Sequence, residues 1–282
     1  MGKLSFEITD PAFSRKNLGS CKLSILLGMD SLVYGVFNVQ NRLLLLRAYE
    51  LEPVGEDGRE GRFRDLFWRE DLFQYKYAER RLAVTTLRHC LVPARLWTPE
   101  AAPAGLQALT ELPAEEEVLS VPLNGLGAQM AFSLDGALLA FVRQAAPDIR
   151  ILDAGAGFLA AARQGMDALG SHQVFACIRD RVLQVAAFHN FNLLLYNSYP
   201  FQTSPDALYF LLLVYDQLNL NPEETPLNLA GPVLPESELY RLFYRFVRQI
   251  RFAPPPSGLL LPEAFPEENL HFHFDLMGTA LL

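Results

Sequence analysis

The order of predicted elements is repeated along the chain, and this repetition constrains the fold more than any other feature. Three short strands joined by tight links are predicted over residues 22–51, and three more over residues 173–199. Turn-sized links between such strands are typical of an antiparallel meander. A helix, a strand and a further helix are predicted after each meander. The chain is therefore expected to form a duplicated α/β architecture with a cleft between its halves, although the halves share no detectable sequence identity.

The individual elements are predicted from hydrophobic periodicity, β-branched content and capping residues. The predicted strands are residues 22–28, 33–39, 42–51, 81–87, 118–123, 129–132, 173–179, 182–188, 192–199, 226–230 and 271–274. The predicted helices are residues 64–75, 135–144, 158–169, 204–218 and 236–250. The boundary between the halves is expected near residue 145, which gives lobes of residues 1–145 and 146–282, each the size of an ordinary domain.

The composition argues against several classes of protein. Half of the 282 residues are hydrophobic, which excludes disordered and fibrous chains. The formal net charge of −8 argues against a general nucleic-acid binder, which needs a basic surface. The three cysteines form no CxxC pair, a usage typical of a reducing compartment. No secretory signal and no apolar run of bilayer length is recognised, so a cytoplasmic protein without membrane insertion is expected.

Several segments resemble one known family. They read CLVPARL at 90–96, NSYPFQT at 197–203, YFLL at 209–212, PLNLAG at 226–231 and YRL at 240–242. In combination they are similar to a bacterial family called domain of unknown function 3822, and the resemblance covers nearly the whole chain. It implies a place among the actin-like ATPases, which include actin, sugar kinases and pilus-assembly and division proteins. The implied fold class is α/β, with duplicated actin-like (ribonuclease H-like) lobes around a central cleft.

This resemblance also implies where a nucleotide would bind. Actin-like ATPases hold nucleotide in the interdomain cleft with three glycine-marked elements, two of which are hairpin tips that contain an aspartate. The matching tips are residues 28–32, with Asp30, and residues 178–182, with Asp180. The third element, a turn that contacts adenosine, matches residues 229–232 and contains Gly231. Asp30, Asp180 and Gly231 are therefore the candidate cofactor-binding residues of a vestigial nucleotide cleft.

All three elements depart from the superfamily pattern. Leu32 stands where a glycine normally allows close backbone approach, and Arg181 and Val182 would crowd phosphates at the second tip. Pro232 replaces the second glycine of the third element and offers no N–H donor. Two interpretations of Asp30 and Asp180 stay open. They either coordinate a hydrated cation with nucleotide across the cleft, or they are turn residues, which aspartate favours; we favour the second.

Two further motifs resemble sites of other classes. The segment 153–157, Asp-Ala-Gly-Ala-Gly, resembles the first motif of class I methyltransferases, but the strands predicted after it form a meander instead of a βα unit. A strand–helix junction with small residues is the favoured interpretation. His271 and His273 would share one face of a predicted strand with Asp275. No third ligand is identified, because His89, His172 and His189 are scattered along the chain, so no metal site is predicted.

Two surfaces are candidates for contact with other molecules. Arg241, Arg245 and Arg248 lie opposite the apolar stripe of the predicted helix 236–250. They could dock an acidic partner, although a charge run at this spacing is usually a solvated face. The aromatic stretch from Tyr196 to Phe210 is interpreted as core and subunit edge and not as a base-stacking platform, because no basic groove accompanies it.

These observations predict a catalytically degenerate binding or scaffold protein with a protein partner. No catalytic residue and no resident cofactor is assigned. If the chain does bind a cofactor, ATP with magnesium is the one expected. A nucleotide-binding ATPase or sugar-kinase-like enzyme with atypical phosphate loops is the second hypothesis. An S-adenosylmethionine-dependent methyltransferase that uses residues 153–157 is the third.

Overall fold

The computed structural model describes residues 2–52, 58–166 and 171–282. Its strands are β1 (Lys3–Thr9), β2 (Lys22–Leu27), β3 (Ser31–Phe37), β4 (Leu43–Glu50), β5 (Glu79–Val84), β6 (His89–Pro93), β7 (Glu116–Leu123), β8 (Ala128–Asp135), β9 (Ile149–Asp153), β10 (His172–Arg179), β11 (Val182–His189), β12 (Asn192–Pro200), β13 (Leu227–Ala230) and β14 (Ile250–Phe252). Its α-helices are α1 (Arg59–Arg69), α2 (Ala101–Leu109), α3 (Gly136–Ala145), α4 (Ala154–Gln164), α5 (Ser204–Gln217), α6 (Glu238–Tyr244) and α7 (Phe274–Ala280).

Two sheets of the same design form the two lobes. The first has the strand order β1-β4-β3-β2-β5-β9 and the second β12-β11-β10-β13-β14. In each sheet an antiparallel meander of three strands continues into two strands parallel to its first strand. The first sheet carries one extra antiparallel strand, β1, at its edge. The predicted duplicated α/β architecture is confirmed, with the first sheet continuing as far as Asp153.

A small third sheet interrupts the first lobe between β5 and α3. Its strand order is β6-β8-β7, with all pairings antiparallel. The helix α2 covers it through a separate core of Cys90, Ala102, Leu106 and Ala131. This insertion contains the 90–96 segment that was quoted for the family resemblance. It follows the end of β5, which lies beside the end of β2, since the Thr85 amide donates to the Leu27 carbonyl.

The hairpin links of the second lobe are tight two-residue turns. Asp180 and Arg181 have φ values of 51° and 59°, and Asn190 and Phe191 have 51° and 64°. Positive φ at both central residues is the signature of the type I′ turn, whose twist matches that of the flanking strands. The register Arg179↔Val182 places Asp180 and Arg181 at the tip of the first hairpin, and Asp180 contacts Asp30 and Ser31 of the other lobe.

The second sheet is buried on both faces. Val174, Ala176 and Ile178 of β10 pack into a core shared with α5 and α6. The alternate residues Phe175 and Cys177 face the main core, which also contains residues of α4 and α7. This alternation follows from the two-residue period of a strand. The helices α4 and α7 therefore lie between the lobes, on the inner side of the second sheet.

Glycines bring α4 and α7 into direct backbone contact. A Cβ atom added at Gly278 would lie 1.9 Å from the carbonyl oxygen of Gly157 and 2.8 Å from the Cβ of Ala161. A Cβ atom at Gly157 would lie 2.2 Å from the Oγ1 of Thr279. No side chain fits at either position without moving one helix away from the other. The two glycines therefore set the separation of the helices between the lobes.

Two element predictions were wrong in part or in full. The helix predicted over 236–250 ends at Tyr244, because the Arg248 amide donates to Pro222 and Ile250 begins a strand parallel to β13. The strand predicted over 271–274 is a turn that leads into α7, in which the Phe272 amide donates to Asn269.

Other bounds shift without a change of type. The helix predicted over 64–75 covers Arg59–Arg69, followed by a 3-10 turn at Asp71–Gln74. The helix predicted over 158–169 covers Ala154–Gln164, and residues 167–169 of that prediction lie outside the described part of the chain. The strands β1, β6 and β14 were not predicted. The predicted boundary near 145 stays a prediction.

The contact between α4 and α7 can be tested with one substitution at each of two helical glycines. Gly278→Ala should lower the free energy of unfolding by about 1–3 kcal/mol, because the added methyl group overpacks the contact. Gly61→Ala in α1 meets nothing within 4 Å and should instead raise it by about 0.5–1 kcal/mol. Urea titrations of both variants measure the difference. An equal response of the two variants would contradict the close packing of α4 on α7.

Candidate functional site

The two hairpin tips of the lobes touch each other through Asp180. Its Oδ2 atom accepts a hydrogen bond from the Asp30 amide at 3.1 Å and another from the Ser31 hydroxyl at 2.6 Å. A Cβ atom at Gly28 would lie 2.0 Å from the same oxygen, so only glycine lets the carboxylate come this close. Sequence reasoning assigned no role to Gly28 or Ser31, although both lie within or beside the quoted tip. The first tip therefore binds an anionic group, and that group belongs to the same chain.

The two aspartates are brought together, but not as a pair of carboxylates. Asp180 meets the backbone amide of Asp30, while the Asp30 carboxylate lies 3.8 Å from the Nη1 atom of Arg62. Arg62 also donates from Nη2 to the Met29 carbonyl at 3.0 Å, which fixes the first tip against α1. The contact across the cleft is thus a hydrogen-bonded turn and not two opposed acidic groups.

A buried ion pair supports the second tip from behind. Arg179, next to Asp180, donates from Nε and Nη2 to the two oxygens of Asp275 at 2.7 and 2.9 Å. Its Nη2 also donates to the Phe272 carbonyl at 2.7 Å. Burial by itself raises the pKa of the Asp275 carboxyl, but the Arg179 guanidinium holds that pKa below its usual value. Both charged groups have hydrogen-bond partners, as a buried ion pair requires, and the pair connects β10 to the start of α7.

The third predicted element is built around Gly231. Its φ is +89°, and a Cβ atom would lie 1.9 Å from the Ile178 carbonyl oxygen. Its amide donates to the His271 carbonyl at 2.9 Å. The His271 ring stacks on Phe252 with centroids 3.9 Å apart, and its Nε2 atom lies 2.8 Å from the Val233 carbonyl. Gly231 therefore allows β13 to approach β10, and its amide is engaged by the segment before α7.

The space behind the second tip is closed. It is lined by Thr85, Cys177, Arg179, Val182, Gln184 and Asp275, and it leaves no room for a water molecule between these described residues. Leu32, which stands at a glycine position of the superfamily, and Val182 of the second tip are both buried, whereas Arg181 is exposed. Phosphate groups could enter this part of the cleft only if the tips separated.

His271 and His273 do not form the strand face on which a shared ligand set would depend. Both rings are buried, and His273 lies beside the Arg179–Asp275 pair. Burial, with the charge of Arg179, lowers the pKa of His273 to about 3, so the ring is neutral at ordinary pH. Within residues 2–52, 58–166 and 171–282, no group of three or more His, Cys, Asp or Glu is placed to hold a metal ion.

The glycines that resemble a methyltransferase motif are used for packing. Asp153 caps α4 by accepting from the Gly155 amide at 2.7 Å, and it accepts from the Thr86 hydroxyl at 2.6 Å. A Cβ atom at Gly155 would lie 1.9 Å from the Tyr196 hydroxyl oxygen. The strands that follow, β10 and β11, are antiparallel. These contacts favour the strand–helix junction with small residues over a cofactor loop.

Two meander-based lobes whose hairpin tips meet in the cleft define an actin-like fold, and solved structures agree. A Bacteroides thetaiotaomicron protein with an actin-like ATPase fold and unknown function has a TM-score of 0.81 at 19% identity, covering 96% of this chain and 99% of that one. The PilM–PilN type IV pilus biogenesis complex matches with a TM-score of 0.58 at 15% identity, covering 92% of this chain and 97% of that one. The ethanolamine utilization protein EutJ from Carboxydothermus hydrogenoformans matches with a TM-score of 0.51 at 11% identity, covering 97% of this chain and 92% of that one.

The family follows from the sequence. The profile of the family described as "Protein of unknown function (DUF3822)" matches residues 10–250, and the chain belongs to that family. The resemblance predicted from the five quoted segments is thus confirmed. A comparison with curated proteins gave no significant match. Of the helices described above, none is both long enough and apolar enough to cross a bilayer.

The buried His273 predicts a pH dependence of stability. In the unfolded chain His273 is protonated below its ordinary pKa of 6.5, whereas in the folded chain it is protonated only below a pKa of about 3. The free energy of unfolding should therefore fall by up to about 1.4 kcal/mol for each pH unit below 6.5. His273→Gln should make this slope shallower in urea titrations between pH 6.5 and 4. Between pH 7 and 9 both proteins should show equal slopes, and equal slopes at acidic pH would contradict the prediction.

Proposed function

We propose that this chain is an actin-like binding or scaffold protein that does not turn over nucleotide, and that its own Asp180 closes the cleft. The observation that supports this is the contact of the Asp180 carboxylate with the Asp30 amide and the Ser31 hydroxyl. By resemblance, this tip is an element that binds phosphate in actin-like ATPases. An amide and a hydroxyl are donors suited to any anion, and here a side-chain carboxylate takes the place of a phosphate.

A nucleotide would have to compete with a group that is already attached. Asp180 is held at the tip by the fold of its own lobe, so its effective concentration at the site is very high. A phosphate that displaced it would also be repelled by the Asp180 charge for as long as the tips stayed close together. The nearby cations are engaged with backbone groups, Arg59 with the Thr85 carbonyl and Arg62 with the Met29 carbonyl.

A binding role agrees with one of the similar structures. PilM, whose fold resembles that of this chain, was solved in a complex with PilN. A protein of this architecture can therefore assemble with another protein. For this chain we infer a protein partner and a cytoplasmic location. The location is supported by Cys21, Cys90 and Cys177, which are buried free thiols.

The proposal predicts that nucleotide has no effect on the chain. Magnesium ATP should leave the melting temperature unchanged, because a ligand that does not bind the folded state adds no stability. Phosphate release should stay at the level of the buffer. A rise in melting temperature, or phosphate release that Asp30→Ala and Asp180→Ala abolish, would instead support the ATPase hypothesis. Thermal scans and a phosphate-release assay of these three proteins decide between the two.

The contact between the tips can be measured against a matched turn. Asp180 and Asn190 occupy equivalent turn positions with the same φ of 51°, so replacement by alanine introduces similar backbone strain. Only Asp180→Ala also removes the two hydrogen bonds across the cleft, and it should cost about 1–3 kcal/mol more than Asn190→Ala. Amide hydrogen exchange at Asp30 should accelerate only in the Asp180 variant. Equal costs and unchanged exchange would show that the tips contribute nothing to closure.

A further inference from the structure

Three large aromatic side chains are exposed on α5 and around the end of α6. Tyr209 on α5 is 62% exposed, Tyr244 at the end of α6 is 61% exposed, and Phe246 just beyond it is 48% exposed. Tyr199 and Phe210 stack beneath Tyr209, with centroids 4.7 Å apart. We call this surface, with Arg241 and Arg245, the aromatic–arginine face. Tyr209 contacts the stacked ring of Phe210, and aromatic side chains of this kind are enriched at contact surfaces.

Two grooves run across the aromatic–arginine face. The first, about 460 Å³, is lined by Pro200, Phe201, Gln202, Asp206, Tyr209 and Phe210. The second, about 390 Å³, is lined by Pro205, Glu238, Arg241, Leu242 and Arg245. They adjoin at the first turn of α5, where Asp206 and Pro205 are neighbours. The Phe201 amide donates to the Arg181 carbonyl at 2.9 Å, so the first groove begins beside the second hairpin tip.

The α6 side of this face is basic, although the chain as a whole is acidic. The chain carries a net charge of −8, yet Arg241 and Arg245 are exposed and have no ion-pair partner among the described residues. By contrast, Arg143 on the first lobe is paired with Glu117. Two carboxylates, those of Asp206 and Glu238, also line the grooves, so the arginines dominate the charge only toward the end of α6. Asp206 accepts from the Gln202 and Thr203 amides, and Glu238 lies in the first turn of α6. From residue 239 to residue 250 the only charged residues are Arg241, Arg245 and Arg248.

From this combination we propose that the aromatic–arginine face binds an acidic peptide segment of a protein partner. Carboxylates of the segment would pair with Arg241 and Arg245, and an apolar side chain would enter the groove beside Tyr209. Arginine and tyrosine at the edge of a concave surface are the residue types that contribute most at such contacts. A flat anionic membrane fits less well, because the face is grooved and the chain as a whole is acidic. This inference rests on the proposed binding role and specifies its partner.

The experiment uses a labelled synthetic peptide in which glutamates alternate with leucines, and a counterpart with glutamine in place of glutamate. Fluorescence anisotropy with the full chain should show binding of the acidic peptide only. Arg241→Glu with Arg245→Glu should weaken it roughly tenfold or more, since each lost charge-assisted contact is a substantial part of the affinity. Arg69→Glu with Arg95→Glu is the matched control, because it makes the same charge change at exposed arginines of the first lobe.

Three further measurements make the result unambiguous. Arg241→Gln with Arg245→Gln keeps the test valid if the reversed charges impair folding, which thermal scans detect. Tyr209→Ser should weaken binding without a change in charge. A melting temperature raised by magnesium ATP while peptide binding persists would overturn the cleft proposal alone, and loss of peptide binding without a nucleotide effect would overturn this one alone, so the two failures are distinguishable.

The outcomes that overturn the proposal are equally specific. Equal weakening in the two glutamate double variants would show a general charge effect and no site. Absence of peptide binding would overturn it, and so would sedimentation with phosphatidylserine vesicles that the Arg241/Arg245 variants abolish while peptide binding is absent. Loss of peptide binding confined to the Arg241/Arg245 and Tyr209 variants would support it.

Discussion

The direct backbone contact of α4 and α7 is the constraint on which the rest of the structure depends. Because Gly157 and Gly278 carry no side chains, the helices that separate the lobes lie at a distance that no other residues allow. This separation brings the hairpin tips close enough for the Asp180 carboxylate to reach the Asp30 amide. The ion pair of Arg179 with Asp275 then joins the tip to α7. Closure of the cleft is thus a consequence of helix packing.

Local rules predicted much of the fold from the sequence, and long-range contacts account for most of the errors. The two meanders were predictable because their turns are short and polar, as at Asp180 and Asn190. The end of α6 was not, since Phe246, Val247 and Ile250 continue a helical pattern, while pairing of Ile250 with Leu227 requires a strand. In the 271–274 segment, alternating residues suggested a strand, although His271 stacks on Phe252 and Phe274 begins a helix.

The candidate site shows the same limit. Asp30, Asp180 and Gly231 could be placed at turns of the cleft, because each lies at a recognisable junction between strands. The binding of the Asp180 carboxylate by the first tip could not be inferred from the sequence. It depends on the distance between the two lobes, and Asp30 and Asp180 are 150 residues apart in sequence. The pair of Arg179 and Asp275 was missed for a related reason: charged residues are expected at the surface unless a partner is known. Here the partner is 96 residues away.

The position of α7 along the chain also affects how the protein is made. The residues of α7 are buried between the lobes, yet they follow α4 by 110 residues, from Gln164 to Phe274. At ribosomal speeds this interval is roughly 5–20 s. During that time Gly157, Phe158 and the inner face of β10 have no helix to cover them. The nascent chain therefore passes through a stage in which these apolar residues stay exposed until α7 has been synthesised.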